Sequence, residues 1–563
     1  MALPSADRSR SVEGLDGFLV PRPKTLKLAP ASLPNAAQFR LRIRPYALVA
    51  ALVACASQPA SNNAATVVCA ANTYDINGLA SDGCEYACMK SSDTDPFDDE
   101  YKDDNCDGTD GVADQCVFVS NAGLDAPLGG TRVSPLRTLS YAVEIAHSQG
   151  KSVCAAGGTF TGSLELKYGV SIYGGFDAND VTIPFRRAHT ATTAVEATGI
   201  GISSTAGESE ARIDAIQFRV SAKDPGASAH GILISGGATL TVNACTFDVG
   251  DGMPGAQGSA GAIGTKGSQG GAGGGKFTNP QPGGAGADAG CSAGGNGGDG
   301  ANPPGKTGAN GSSGGVSLAP GGKGGSGGAF GAPGDDGEES TSTAAPGSAG
   351  SAQPMTIAFT ANGYIAVPGG DGKPGNDGRG GGGGGGSGAE GICPVDAGAG
   401  CDLSGSGGGG GGAGGCGGGP GKGGGGGGSS IGAAITKGRL TLISTPLRVG
   451  NGGAGGHGGD GGAGGDGGLG GNGSSPRYGM WTIHGGDGAG GTNGSMGGGG
   501  AGGNGGSSIC FAGAGNVVTV TSSICTHGKG AGGGIGGAGA SRGPSGNAGT
   551  TFDSYDLLTL IGR

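Results

Sequence analysis

Three well-separated stretches of this chain repeat one pattern: Leu240–Gly250, Leu440–Gly450 and Val518–Gly528. Each alternates apolar with polar residues, makes a short polar break, then offers one more apolar residue: Phe247, Leu447 or Cys525. Each then runs into a glycine-rich tract. Period-two alternation marks a strand with one buried face. Recurrence of one strand with long inserts marks a repeat fold in which neighbouring units stack. The expectation is an all-β coiled scaffold that sends glycine loops out from one corner.

Composition limits what else the chain can build. Of 563 residues, 143 are glycine and one is tryptophan. Such tracts cannot bury enough apolar surface to offset backbone entropy in the ordinary way. The formal charge of −11 excludes nucleic acid as a partner, since phosphate is neutralised by basic patches. It equally disfavours anionic lipid headgroups, which leaves small partners, cations and neutral or basic glycans.

The start of the chain reads as an address. Arg40, Arg42 and Arg44 precede the apolar run Tyr46–Ala54, too short to span a bilayer. It closes on Leu52, Val53, Ala54 and Cys55, which resembles the bacterial lipobox. That resemblance implies a signal peptide over 39–55, lipidation of Cys55 and, with Ala56 following, anchorage in the outer membrane facing the cell surface. Ordinary cleavage after Ala56, giving a secreted protein, is the alternative. Residues 1–38 lie upstream of any usual signal and read as a start site set too early.

Cysteine usage agrees with export. Cys69, Cys84, Cys88, Cys106, Cys116 and Cys154 crowd one region, as disulfides do in oxidising compartments, and are the disulfide candidates. Of the 14 cysteines, Cys55 is lost or lipidated, which leaves one odd thiol. Cys525, in the slot of Phe247 and Leu447, is the candidate for it.

Residues 56–115 form a Cys/Asp-rich neck. Asp103, Asn105, Asp107 and Gly108 match the opening of a calcium loop, with Asp114 at the closing carboxylate. Asp103, Asn105, Asp107, Thr109 and Asp114 are the candidate metal ligands, because hard oxygen donors at alternate positions can converge on one cation. The last ligand is Asp rather than Glu, and no amphipathic helix flanks the loop. The run Asp103–Gly111 resembles the Asp/Cys-rich repeats of thrombospondin type 3 and of MopE-like bacterial surface proteins, a resemblance that implies metal binding. Calcium is the one cofactor expected. The bland alternative is a solvated acidic spacer.

Residues 116–250 carry a second resemblance. Leu139, Val143 and Ala146 share one helical face, Gly150 ends that helix, and Lys151–Ala155 reads as the next strand. Leu164–Asp177, Ala211–Val220 and Gly231–Ile234 continue the alternation. The order resembles the N-terminal helical cap and first coils of pectin-lyase-like proteins. It implies a right-handed parallel β-helix, with 251–563 supplying further coils interrupted by glycine-rich insertions. The fold serves lyases, hydrolases, adhesins and stalks alike, so it carries little about function.

The tracts cover roughly 251–354, 369–429, 450–506 and 528–550. Gly at every third position from Gly252 to Gly270 is too short and proline-poor for collagen. Gly452–Gly473 is a Gly-Gly-x series that resembles the polymorphic glycine-rich (PGRS) sequences of bacterial surface proteins. Its period permits extended helices packed side by side; flexible filler is the alternative. RTX-type calcium repeats fail, because Gly462 and Gly468 stand where an aliphatic residue is required.

No catalytic residue is assigned. Asp335, Asp336 and His457 mimic polygalacturonase motifs but sit in low-complexity tracts. On the strands acidic residues are sparse: Glu165, Asp177, Asp214 and Asp248. The reading is a non-catalytic structural or adhesive surface lipoprotein with a polysaccharide or cell-surface partner. The alternatives are a polysaccharide lyase or glycoside hydrolase, and a calcium-dependent carbohydrate-binding protein.

Overall fold

Strands carry nearly all the regular structure, as the alternation requires. The computed structural model describes residues 68–563, apart from 79–80, 167–168, 205–209, 275–280, 303–305, 316–324, 326, 329–330, 356, 390–403, 479–480, 516, 558–560 and 563. The signal region and Cys55 therefore lie outside the described residues, as do Cys393 and Cys401. One α-helix occurs among the described residues, Leu139–Gln149. Thr138 caps it by accepting from Tyr141 N, Leu139, Ala142, Val143 and Ala146 form its buried face, and Gly150 ends it at φ 66°.

Three mainly parallel sheets contain the longer strands. The first runs Cys116–Val119, Ser152–Ala156, Ile172–Asp177, Glu210–Asp214, Thr239–Asn243, Arg439–Ile443, Val518–Thr521. The second runs Gly158–Thr161, Thr193–Thr198, Ile216–Ser221, Thr246–Val249, Leu447–Val449, Cys525–Thr526. The third runs Leu164–Glu165, Ile200–Ser204, Ala229–Ile234, Ser430–Ile435, Ser508–Gly513, Thr551–Asp556, closed by antiparallel Ile561–Gly562. From Ser152 onward the parallel strands visit the sheets in rotation, broken only by the short antiparallel strand Arg186–Arg187 against Ile172–Asp177 and by the closing Ile561–Gly562.

The three stretches matched by sequence are neighbours in register. Leu240 pairs with Leu440 and Leu440 with Val518; Phe247 pairs with Leu447 and Leu447 with Cys525. Like residues therefore stack on like. Ile172, Ile213, Val242 and Leu442 line the first sheet, and Val195, Phe218, Phe247 and Leu447 the second, all buried. Phe218 and Phe247 stack with centroids 4.7 Å apart. Each such side chain stabilises by roughly 1.5–3 kcal/mol. The first-to-second corner turns on one left-handed residue per unit: Ala215, Ala244, Ser444 and Ser522, at φ 55°, 50°, 45° and 51°.

Every long insertion leaves the second sheet and returns to the third: 250–429, 450–507 and 527–550. Together they build one hydrogen-bonded body. Gly252, Gly255, Gly258 and Gly261 donate to the carbonyls of Asn451, Ala454, His457 and Asp460 at 2.7–2.8 Å. Gly452, Gly455, Gly458 and Gly461 donate in turn to Lys529, Gly532, Ile535 and Ala538. Bonds at every third residue are the signature of a three-residue-per-turn extended helix, whose amides point outward in three directions. Between the first two tracts the chain forms a short hairpin, Phe359–Thr360 with Gly363–Tyr364, whose apolar residues cover the outside of the third sheet.

Disulfides join Cys69–Cys84, Cys88–Cys106 and Cys116–Cys154, so the six candidates pair among themselves. Cys291–Cys416 and Cys510–Cys525 add two more. The expectation of a free Cys525 is thereby overturned: the rotation brings Cys510 of the third sheet within bonding reach of it. The free cysteine among the described residues is Cys245, buried at a corner, its thiol pushed up to about 12 by desolvation and therefore inert.

Candidate functional site

Three features could carry function: the acidic neck, the outer face of the second sheet, and the glycine body.

The five predicted calcium ligands share one loop, and three of them, Asp103, Asn105 and Asp107, accept from its own backbone amides. Asp103 accepts from Asp107 N and Gly108 N at 3.1 and 2.7 Å. Asn105 Oδ1 accepts from Asp107 N, while its Nδ2 donates to Asp107 Oδ2 at 3.0 Å. Asp107 also accepts from Thr109 N and Ala113 N. The Thr109 hydroxyl donates to Phe185 O at 2.8 Å, and Asp114 is exposed. Among the described residues, three His, Cys, Asp or Glu groups come within metal-binding reach of one another only at Cys291, Asp377 and Cys416, two of which form a disulfide. In the neck loop the carboxylates of Asp103 and Asp107 are engaged by backbone amides. Asp95 is the neck carboxylate under most strain from burial: it is 4% exposed, its Oδ2 lacks a partner, and desolvation pushes it up to about 7.

A buried cation ties the neck to the first sheet. Arg187 donates to Asp110 Oδ2 and Asp214 Oδ1, both at 2.7 Å, and to Gly174 O at 2.8 Å, while Tyr101 covers its guanidinium at 4.1 Å. Asn243 bridges Asp214 and neck residue Asp99, each at 2.9 Å. Asp214, one of the sparse strand carboxylates, is thus engaged by Arg187, Arg212 and Asn243. Sequence reasoning missed Arg187 because its partners lie 77 and 27 residues away.

On the outer face of the second sheet, register stacks Glu196, Arg219, Asp248 and Arg448 in alternating charge. Arg219 approaches Glu196 at 3.4 Å and Arg448 approaches Asp248 at 3.8 Å. A groove lined also by Thr161, Ser163, Thr198 and Ser221 runs beside the ladder. Asp177 stands apart, accepting from Asn179 N. All four ladder side chains are more than half exposed, so each pair is worth little, ~0–1 kcal/mol.

In the glycine body, chain position decides which residues see solvent. Segment 404–428 donates to or accepts from segments 251–274, 281–301, 367–388, 451–474 and 484–507, and 405–415 is buried throughout. It is nearly pure glycine because every direction faces a neighbour: a Cβ on Gly412 would stand 2.1 Å from Gly468 O. Segment 451–473 bonds to segments 251–274, 404–428, 485–506 and 529–538, which cover its two glycine rows. Its outward row, Ala454, His457, Asp460, Ala463, Asp466, Leu469 and Asn472, is exposed, with successive members ~9 Å apart at three residues per turn. Where helix edges leave an amide without a carbonyl, a short polar side chain supplies the acceptor. His457 Nδ1 accepts from Ile535 N at 2.8 Å, Asp460 from Ala538 N, Asn493 from Gly467 N, and Asp336 from Asp487 N. The Asp336 and His457 strings that mimic catalytic motifs are explained by this edge capping. No family model, curated protein or solved structure matches this chain.

Proposed function

We propose that this chain is a non-catalytic structural or adhesive protein of the bacterial surface, anchored through lipidated Cys55. In this reading a right-handed parallel β-helix with an N-terminal helical cap holds a stiff glycine-helix body away from the membrane. Rotation of the parallel strands among three sheets, with every long insertion at one corner, supports the β-helix. The observation that carries the adhesive reading is the glycine body itself: a cross-linked backbone lattice displays side chains in fixed rows, a geometry suited to many weak contacts with an extended polymer. Flexible filler would need no edge-capping residues at the places where amides would otherwise go unpaired.

The test is incubation of the secreted chain with acidic and neutral polysaccharides, scoring retained protein and released sugar ends together. Retention without release supports the proposal. Loss of retention on replacing Leu469 and Asp466 in the outward row would locate the contact. No retention on any polymer, with unimpaired folding, refutes adhesion to polysaccharide. Metabolic labelling with palmitate, lost in Cys55→Ser, tests the anchor.

A second reading, a polysaccharide lyase or hydrolase, is favoured by the groove beside Glu196, Arg219 and Asp248. Sugar release abolished by Glu196→Gln or Asp248→Asn would establish it over the first.

A further inference from the structure

The calcium-like loop already faces a cation of its own. Arg132, from the turn before the helix, has its side chain 14% exposed and its Nη2 3.5 Å from Asp107 Oδ1. Its guanidinium lies 5.5 Å above the Phe118 ring. Gly108 leaves room for it: a Cβ there would approach Arg132 Nη1 to 3.2 Å and Ile76 to 2.8 Å. Burial pushes the Arg132 guanidinium below its ordinary value, and the charges that oppose this are those of Asp107, Asp103 and Asp114, three of the five predicted calcium ligands. Its Nε and Nη2 find no hydrogen-bond acceptor, so the attraction is of charge for charge rather than of a forked salt bridge.

We propose that Arg132 is the resident counter-ion of the 103–114 loop, occupying the electrostatic role that a divalent cation fills in the proteins this loop resembles. The loop's backbone amides hold the carboxylates in a turn, and the guanidinium neutralises them from the side where a metal would otherwise approach. The neck then folds without metal, and the mixed-charge recess around Tyr74, Asp75, Asp107, Asp114, Arg132 and Lys151 is a structural seam. A buried cation beside the site also repels an incoming one, which sets a barrier to calcium independent of ligand count.

The experiment compares the full chain with Arg132→Gln, Asp107→Asn and the double variant, each melted in EDTA and at about 1 mM calcium, with calorimetric titration of calcium. The wild-type chain is expected to melt identically in both and to show no saturable heat. Arg132→Gln should melt lower in EDTA, regain several degrees with calcium, and show a calcium heat. The double variant should recover in EDTA much of what either single change loses, because neither charge is then left unpaired. A saturable wild-type calcium heat that Asp107→Asn abolishes would overturn the proposal. So would an Arg132→Gln variant whose loss neither calcium nor Asp107→Asn repairs, since that loss would be packing against Phe118 rather than charge.

Discussion

Alanine at Gly412 tests whether the glycine body is a packed solid. The added methyl would sit 2.1 Å from Gly468 O, whereas ordinary contact begins at 3.4 Å, so segments 404–428 and 451–473 must part by roughly 1.3 Å. The bonds beside the contact, Gly468 N to Ala413 O at 2.8 Å and Gly471 N to Gly410 O at 2.7 Å, would stretch to about 4 Å, beyond any useful hydrogen bond. Each broken pair leaves buried amide groups unsatisfied at roughly 1–3 kcal/mol, so Gly412→Ala should lose roughly 3–5 kcal/mol. Gly532→Ala is the control. No atom lies within 4 Å of its Cβ position, and removing glycine freedom from the unfolded chain should leave stability unchanged or raised by up to ~1 kcal/mol. Urea midpoints of the two variants, with amide exchange across 462–471, give the readout. If Gly412→Ala were as stable and as protected as Gly532→Ala, the lattice described above would be wrong.

Other outcomes follow from the same structure. Arg187→Met should destabilise by ~3–5 kcal/mol in denaturant titration, because Asp110 and Asp214 are then buried without their cation. His230 is fully buried and depressed to about 4, so the unfolded chain binds its proton first. Stability should therefore fall as pH drops from ~6.5 to 4, by up to ~3 kcal/mol, and His230→Gln should flatten that limb of the profile. Asp95 acts oppositely. Its raised value means its contribution is full below ~3.9 and is lost as pH rises to about 7, so Asp95→Asn should raise the melting temperature most above neutral pH. Removing Cys291–Cys416 frees a loop of 125 residues and should cost ~2–4 kcal/mol while preserving the strand registers, which amide exchange can follow separately.

Much of this architecture was legible in the residues. The alignment of Leu240, Leu440 and Val518 is the observed register, because each strand has one buried face and a one-residue slip would turn that face outward. The cap helix was readable from Leu139, Val143, Ala146 and Gly150, whose signals are local. The neck pairings were not, since six cysteines alone allow many connectivities, and the Cys510–Cys525 bond depended on the third sheet passing beside the second. The 103–114 loop marks a different limit. Its spacing was correct for ligands, but spacing says nothing of Arg132 arriving from another segment.

The glycine tracts divide most sharply between what sequence and tertiary structure decide. Glycine content per triplet tracks how many of the three residue rows are turned inward: one for Gly-x-x in 252–270, two for Gly-Gly-x in 452–473, and all three in the nearly pure glycine of 405–415. A side chain has no room where two backbones touch. Which helix meets which was not written there, because a glycine amide presents the same donor and acceptor to any partner. The strands decided it. Their offsets of 200 and 78 residues, Leu240 to Leu440 to Val518, are those of the side-chain bonds from His457 N to Gln257 and from Ile535 N to His457. The scaffold launches each tract in register, and tracts without distinguishing side chains keep the register they are given.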